Sequence, residues 1–209
     1  MYQKTLRRKI KSIQTSSLFS GRYTNGIRRL HKLEKKTGDR KPFLYAYGIL
    51  YDHLAMNAKG RRKRQLEKTA RDFYEKALAY KVGGITPYWG LGRILLHNNE
   101  YAAGLKYYRL ACKIKPDNRS ARLAYAVALS WAGRFKEAKN IFVKDEKKYG
   151  PNFRSAYNLA EIEKRLKNRP RSRMYAKKAL RFWRKNKYRR TPFGKTWEKN
   201  LMKIIGDEH

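Results

Sequence analysis

Apolar residues recur along this chain at the intervals of a helix. Ala70, Phe73, Tyr74, Ala77 and Leu78 form one such set, and Tyr101, Leu105, Tyr108, Ala111 and Ile114 form another. Phe135, Ala138, Ile141 and Phe142 form a third. Spacing by three, four and seven places these side chains on one face of a helix and leaves polar residues on the other. Turn residues separate the sets: Gly83-Gly84, His97-Asn98-Asn99, Pro116-Asp117-Asn118, Gly133 and Gly150-Pro151. No segment alternates apolar and polar over several residues, so the pattern predicts no strand. The expected class is all-α.

The helical sets carry a longer period. Leu91-Gly92, Gly104, Tyr108 and Ala111 are followed 34 residues on by Tyr125-Ala126, Ala138, Phe142 and Asp145. A second step of 34 reaches Leu159-Ala160, Ser172, Ala176 and Ala179. A fixed step of this length marks stacked helical hairpins, each burying its apolar face on its neighbours. The residues resemble the tetratricopeptide repeat, with its pattern W-x2-L-G-x2-Y…A-x3-F…P. Residues 85–118 match through Tyr88, Leu91, Gly92, Leu95, Gly104, Tyr108, Ala111 and Pro116. Residues 119–152 match through Gly133, Phe135, Ala138 and Phe142, and depart at Asp145, where a small residue is usual. Residues 153–186 match through Ala156, Leu159 and Ala160, with Pro170 opening the second helix. An irregular first repeat over 43–84 carries Leu44, Tyr47, Gly48 and Tyr51, then Ala70, Tyr74, Ala77 and Leu78. The surplus between its halves reads as a basic insertion at 57–66.

The resemblance implies a right-handed solenoid of helical hairpins with capping helices at both ends, one domain over residues 21–205. Ile27, Leu30 and Leu33 mark the N-terminal helix, ending at Gly38-Asp39. Trp197, Leu201, Ile204 and Ile205 mark a C-terminal cap over 191–205. Residues 1–20 read as a basic segment, helical to about Ile13, broken at Thr15-Ser16-Ser17, and expected to be mobile.

Charge changes the picture from a generic repeat protein to one with a particular kind of partner. The 209 residues hold 53 Lys and Arg against 16 Asp and Glu, a formal net charge of +37. With 41% apolar residues there is still ample material for a core. Three basic clusters stand out: Arg7, Arg8 and Lys9; Lys59 to Arg64, with Arg61, Arg62, Lys63 and Arg64; and Arg169 to Arg190, with Arg181, Arg184, Lys185, Arg189 and Arg190. The last is interleaved with Tyr175, Phe182, Trp183 and Tyr188, of which Tyr175 and Phe182 have core spacing. A solvated face normally mixes both signs, and so one-sided a run repels itself unless an anion lies against it. The expected partner is nucleic acid, RNA or a ribonucleoprotein such as the ribosome, met through its backbone. The alternative is an adaptor holding an acidic or amphipathic peptide in a concave groove of Trp89, Arg93, Leu123, Val127, Trp131, Tyr157 and Lys164. Contact with anionic membrane through residues 1–14 ranks behind both.

Little here could perform chemistry. There is no phosphate-cradling glycine loop and no His or Cys ligand spacing. His31, His53, His97 and His209 are scattered, and Glu161 and Glu163 stand two apart, too close to share a helical face. No enzyme activity, cofactor or metal is expected. The single cysteine, Cys112, permits no intramolecular disulfide and suits a reducing compartment. With no secretory pattern and no apolar stretch long enough to span a bilayer, the expected location is the cytoplasm, or the nucleus if Lys59–Arg64 serves as an import signal.

Overall fold

The computed structural model of the protein describes residues 2–185 and 192–206. Lys187, Tyr188, Arg189, Arg190, Thr191 and His209 lie outside the described residues. Those described are helical apart from short connections, and no strand occurs among them. The chain divides into two compact units, 1–115 and 116–209.

The first unit holds α1 (Tyr2–Ser20), α2 (Tyr23–Thr37), a short 3-10 turn (Lys41–Phe43), α3 (Leu44–Met56), α4 (Gly60–Ala79), α5 (Thr86–His97) and α6 (Tyr101–Ile114). Consecutive helices pack on one another from α1 to α6, and α3 also touches α1 and α5. Connections of a few residues fold each pair into an antiparallel hairpin. Tyr47, Phe43, Leu50, Ile10 and Leu30 are buried together where α1, α2 and α3 meet. A second cluster joins Ile49, Ala70, Tyr74, Leu91 and Ile94 across α3, α4 and α5.

Tyr74 explains the small residues nearby. A Cβ on Gly48 would stand 2.6 Å from its ring, and a Cβ on Gly90 would overlap the ring outright. The ring is thus clamped between backbones of α3 and α5, and its hydroxyl donates to the buried Asp52 at 3.2 Å.

Two features differ from the sequence reading. Helix α1 does not break at Thr15-Ser16-Ser17 but runs unbroken to Ser20. The hydroxyls of Ser16 and Ser17 donate back to the Ile13 carbonyl at 3.0 and 2.8 Å, which satisfies them within the helix. Leu6, Ile10, Ile13 and Ser17 are buried, so the segment is docked on its apolar face. Ser17 sits against Gly26 of α2, where a Cβ would meet its own Cβ at 2.8 Å. The second difference is the basic run at 59–64, which is no loop between helices. Lys59 is the extended N-cap residue and the rest forms the opening turns of a 20-residue α4. Arg, Lys, Gln and Leu are good helix formers, and Lys63 pairs with Glu67 one turn on at 3.7 Å. The surplus residues lengthen the second helix instead of looping out.

The second unit holds α7 (Arg119–Trp131), α8 (Phe135–Tyr149), α9 (Phe153–Arg165), α10 (Arg169–Arg184) and α11 (Pro192–Gly206). Asn118, Asn152 and Asn168 cap α7, α9 and α10, their side chains accepting from the backbone N–H three residues on. Helix α11 packs on α10 and α9 and seats Leu201 and Ile204 against Ala156, Ala160, Ala176 and Ala179. Asp145, the departure from the repeat pattern, is buried and takes a two-pronged bond from Arg119, with Nε to Oδ1 at 2.9 Å and Nη2 to Oδ2 at 2.7 Å. A carboxylate stands here in place of a small residue because α7 brings it a guanidinium.

Candidate polyanion-binding surface

The basic surface begins with how the acids are used. Glu34 accepts from the Tyr47 hydroxyl and lies 3.5 Å from both His31 and Arg40. Asp52 pairs with Arg93, Asp145 with Arg119, Glu146 with Lys178 at 3.0 Å, and Glu163 with Lys139 at 2.7 Å. Glu67, Glu75 and Glu137 each face a cation of their own helix or its N-cap. Glu34, Asp52, Asp145, Glu146 and Glu163 are at most 18% exposed and do little to balance the surface, whereas Glu75 and Glu137 pair at the surface. The cations left over therefore face solvent.

Helices α1 and α2 show this most plainly. Residues 1–41 contain 13 Lys and Arg and two acids, Glu34 and Asp39. Leu6, Ile10 and Ile13 turn one side of α1 to the core. That leaves Lys4, Arg7, Arg8 and Lys11, at successive turns, as an exposed basic stripe. Between α1 and α2 runs an open slot of about 330 Å3, floored by Ile13 and Leu33 and walled by Lys9, Arg29, Lys32 and Lys36. No carboxylate lines it. Arg29 is steadied by donating to Ser16 Oγ at 3.2 Å.

Arg7, Arg8 and Lys9 of the sequence reading thus sit on this hairpin. Arg61, Arg62 and Arg64 are exposed on the opening turns of α4, while Lys63 is half-buried beside Glu67. Arg181, Arg184 and Lys185 are exposed at the end of α10. Among the described residues, Arg7, Arg8, Lys9, Arg61, Arg62, Arg64, Arg181 and Lys185 form no ion pair. The reading missed Arg29, Lys32 and Lys36. Their spacing of three and four along α2 was the available signal, because it puts all three on one helical face.

The expected peptide groove fares differently. Leu123 is buried. Arg93 is committed to Asp52 and to Met56 Sδ at 3.0 Å, and burial lowers its pKa. Tyr157 is half-buried against the edge of Trp197, with ring centroids 4.2 Å apart, inside an aromatic cluster with Phe153 and Trp183. These three side chains belong to packing. Trp89 and Val127 are half-buried, whereas Trp131 is 49% exposed and Lys164 is exposed. Trp89 and Arg93 belong to the first unit and the other five to the second.

His53 is half-buried and stacks on Tyr23 at 5.5 Å, and burial lowers its pKa. Among the described residues no cluster of His, Cys, Asp and Glu could hold a metal ion, and no helix is long and apolar enough to cross a membrane.

No family model matches the chain. Solved structures do. A tetratricopeptide repeat protein from Parabacteroides merdae superposes with a TM-score of 0.68 at 14% identity, covering 96% of this chain and 79% of that one. YrrB, described as a tetratricopeptide repeat protein with an unusual peptide-binding site, gives a TM-score of 0.55 at 16% identity over 91% of this chain and 88% of its own. The fold is that of the tetratricopeptide repeat proteins: all-α, built of repeated helical hairpins. In sequence, the human protein O-mannosyl-transferase TMTC1 is 33% identical over 93 residues. That match spans 43% of this chain and 10% of the human protein.

Proposed function

We propose that this protein is a non-enzymatic scaffold that holds a polyanion, and that the polyanion is RNA or a ribonucleoprotein. The observation that carries this reading is the α1–α2 hairpin, whose slot is walled by Lys9, Arg29, Lys32 and Lys36 without a carboxylate. Cations repeated along helices match a chain of phosphates, each neutralised phosphate releasing counterions. Such contacts read backbone and shape, not bases. Arg61, Arg62 and Arg64 extend the same chemistry on α4, and Arg181, Arg184 and Lys185 on α10. The repeat fold supports a holding role, and the transferase named in the sequence match is a protein of which this chain spans a tenth. The single cysteine suits a reducing compartment such as the cytoplasm.

The test is fluorescence anisotropy of a labelled single-stranded RNA on the full chain. Lys9→Glu, Lys32→Glu and Lys36→Glu together should weaken binding by about ten-fold or more at near-physiological salt. The control reverses three exposed cations of α6, Lys106, Arg109 and Lys113, with the same change in net charge. The α6 variant should bind within about two-fold of the parent. Equal losses in both variants would reduce the hairpin to a share of the net charge and overturn it as the site.

A further inference from the structure

Tyr149 closes α8, and 43% of it is exposed. Three cations gather on its ring. The Arg119 guanidinium carbon lies 4.7 Å from the ring centre, the Lys148 Nζ 5.3 Å and the Arg122 guanidinium carbon 5.9 Å. Arg122 Nη2 also donates to the Tyr149 hydroxyl at 3.0 Å, while its Nη1 donates to the Pro116 carbonyl at 2.7 Å. Hydrogen bonds from Lys148 and Arg122 lower the pKa of this phenol. A lysine in the last turn of a helix complements the helix dipole, which accounts for Lys148 alone. Arg119 and Arg122 come from α7 and converge on the same ring. Asp145 bonds to Arg119 and so neutralises only that one of the three.

We propose that Tyr149 is a stacking platform for a base of single-stranded RNA, with Arg122 and Lys148 taking the adjoining phosphates. The inference rests on the RNA reading above. It adds a contact on the second unit and a preference for unpaired strands. An aromatic ring offers a flat face to any base, and a guanidinium beside it can stack on the base or neutralise a phosphate. In a duplex the base faces cover one another and the protein meets shape and backbone. The α1–α2 slot, which reads phosphates, therefore accepts either form, whereas Tyr149 accepts a splayed base only. A poly-acidic peptide would satisfy the cations but bring no flat group to the ring.

Two substitutions separate the ring from its hydroxyl and leave every cation in place. Tyr149→Phe keeps the flat face, and Tyr149→Leu removes it. The full chain and both variants are titrated at about 0.15 M salt with a labelled single-stranded RNA, the same RNA as a duplex, and a poly-Glu peptide. Tyr149→Leu should weaken the single strand about five-fold or more, the loss expected of one stacked base. It should leave the duplex within about two-fold, and Tyr149→Phe should hold both within that margin. A single strand carrying 5-iodouridine, irradiated on the parent chain, should cross-link to Tyr149. Full single-strand affinity in Tyr149→Leu, or cross-links confined to other residues, would overturn the platform while leaving the α1–α2 slot as the RNA site. Equal losses for single strand, duplex and poly-Glu would reduce Tyr149 to a prop for its cations and overturn the stacked base. A parent chain that binds no RNA would overturn this inference and the RNA reading together.

Discussion

At the scale of single residues, the fold is held to its repeat by exceptions as much as by the rule. Asp145 occupies a slot where the pattern favours a small side chain, and the sequence shows the departure without its reason. The reason is Arg119, 26 positions earlier and joined to it by two charge-assisted bonds. No local pattern reveals such a pair. Its two halves are unequal, because the Arg119 side chain is 36% exposed and that of Asp145 is 4% exposed. Arg119→Met strands a buried carboxylate and should cost about 3 kcal/mol of unfolding free energy. Asp145→Ala lets the arginine return to water and restores the small residue of the repeat, so it should cost under about 1 kcal/mol. Urea denaturation of both variants decides this, and the reverse order would refute the assignment of burial to Asp145. Glu163 is similar: it is buried beside Lys139 while Glu161, two residues away, is half-exposed. The helical period alone made that separation readable.

At the scale of helices, the sequence was most legible where small and large residues alternate across a contact. Gly92 and Gly104 approach so closely that a Cβ on Gly104 would stand 2.8 Å from the Gly92 carbonyl oxygen. Their positions in the 34-residue step announced that approach. Gly90 was not announced, although it faces the Tyr74 ring just as tightly. Gly90→Ala gains about 1 kcal/mol in helix propensity. It also forces a methyl group into a ring clamped by two backbones, a cost of about 1–3 kcal/mol that repacking cannot easily avoid. The expected outcome is net destabilisation of about 1 kcal/mol, read as a lower urea midpoint with an unchanged slope. A raised midpoint would show that Tyr74 moves freely. Helices α1 and α4 were misread for related reasons. Thr15-Ser16-Ser17 resembles a break until the serine hydroxyls are seen to bond back to Ile13. Lys59–Arg64 resembles a loop until the helix propensity of its long side chains is weighed against the repeat length. Local composition points to interruptions in both segments, and tertiary docking or continuity of the helix overrides it.

At the scale of the whole molecule, a net charge of +37 is the dominant property, and the structure explains where it resides. Glu34, Asp52, Asp145, Glu146 and Glu163 are paired and largely buried, which leaves fewer acids among the cations of the surface. The sequence revealed the excess but not this partition, because ion pairs such as Asp52 with Arg93 join residues far apart in the chain. It revealed Lys9 but not that α2 supplies the opposite wall of its slot. The likeness to known repeat proteins fixes the fold and leaves the partner to chemistry. The most direct test of that chemistry is the salt dependence of RNA binding by the full chain. A backbone-reading surface with at least four phosphate contacts predicts a log–log slope near −3 or steeper for single strands, made shallower by reversing Lys9, Lys32 and Lys36. A slope near zero, or one that the three substitutions leave unchanged, would contradict a polyanion held on the α1–α2 hairpin.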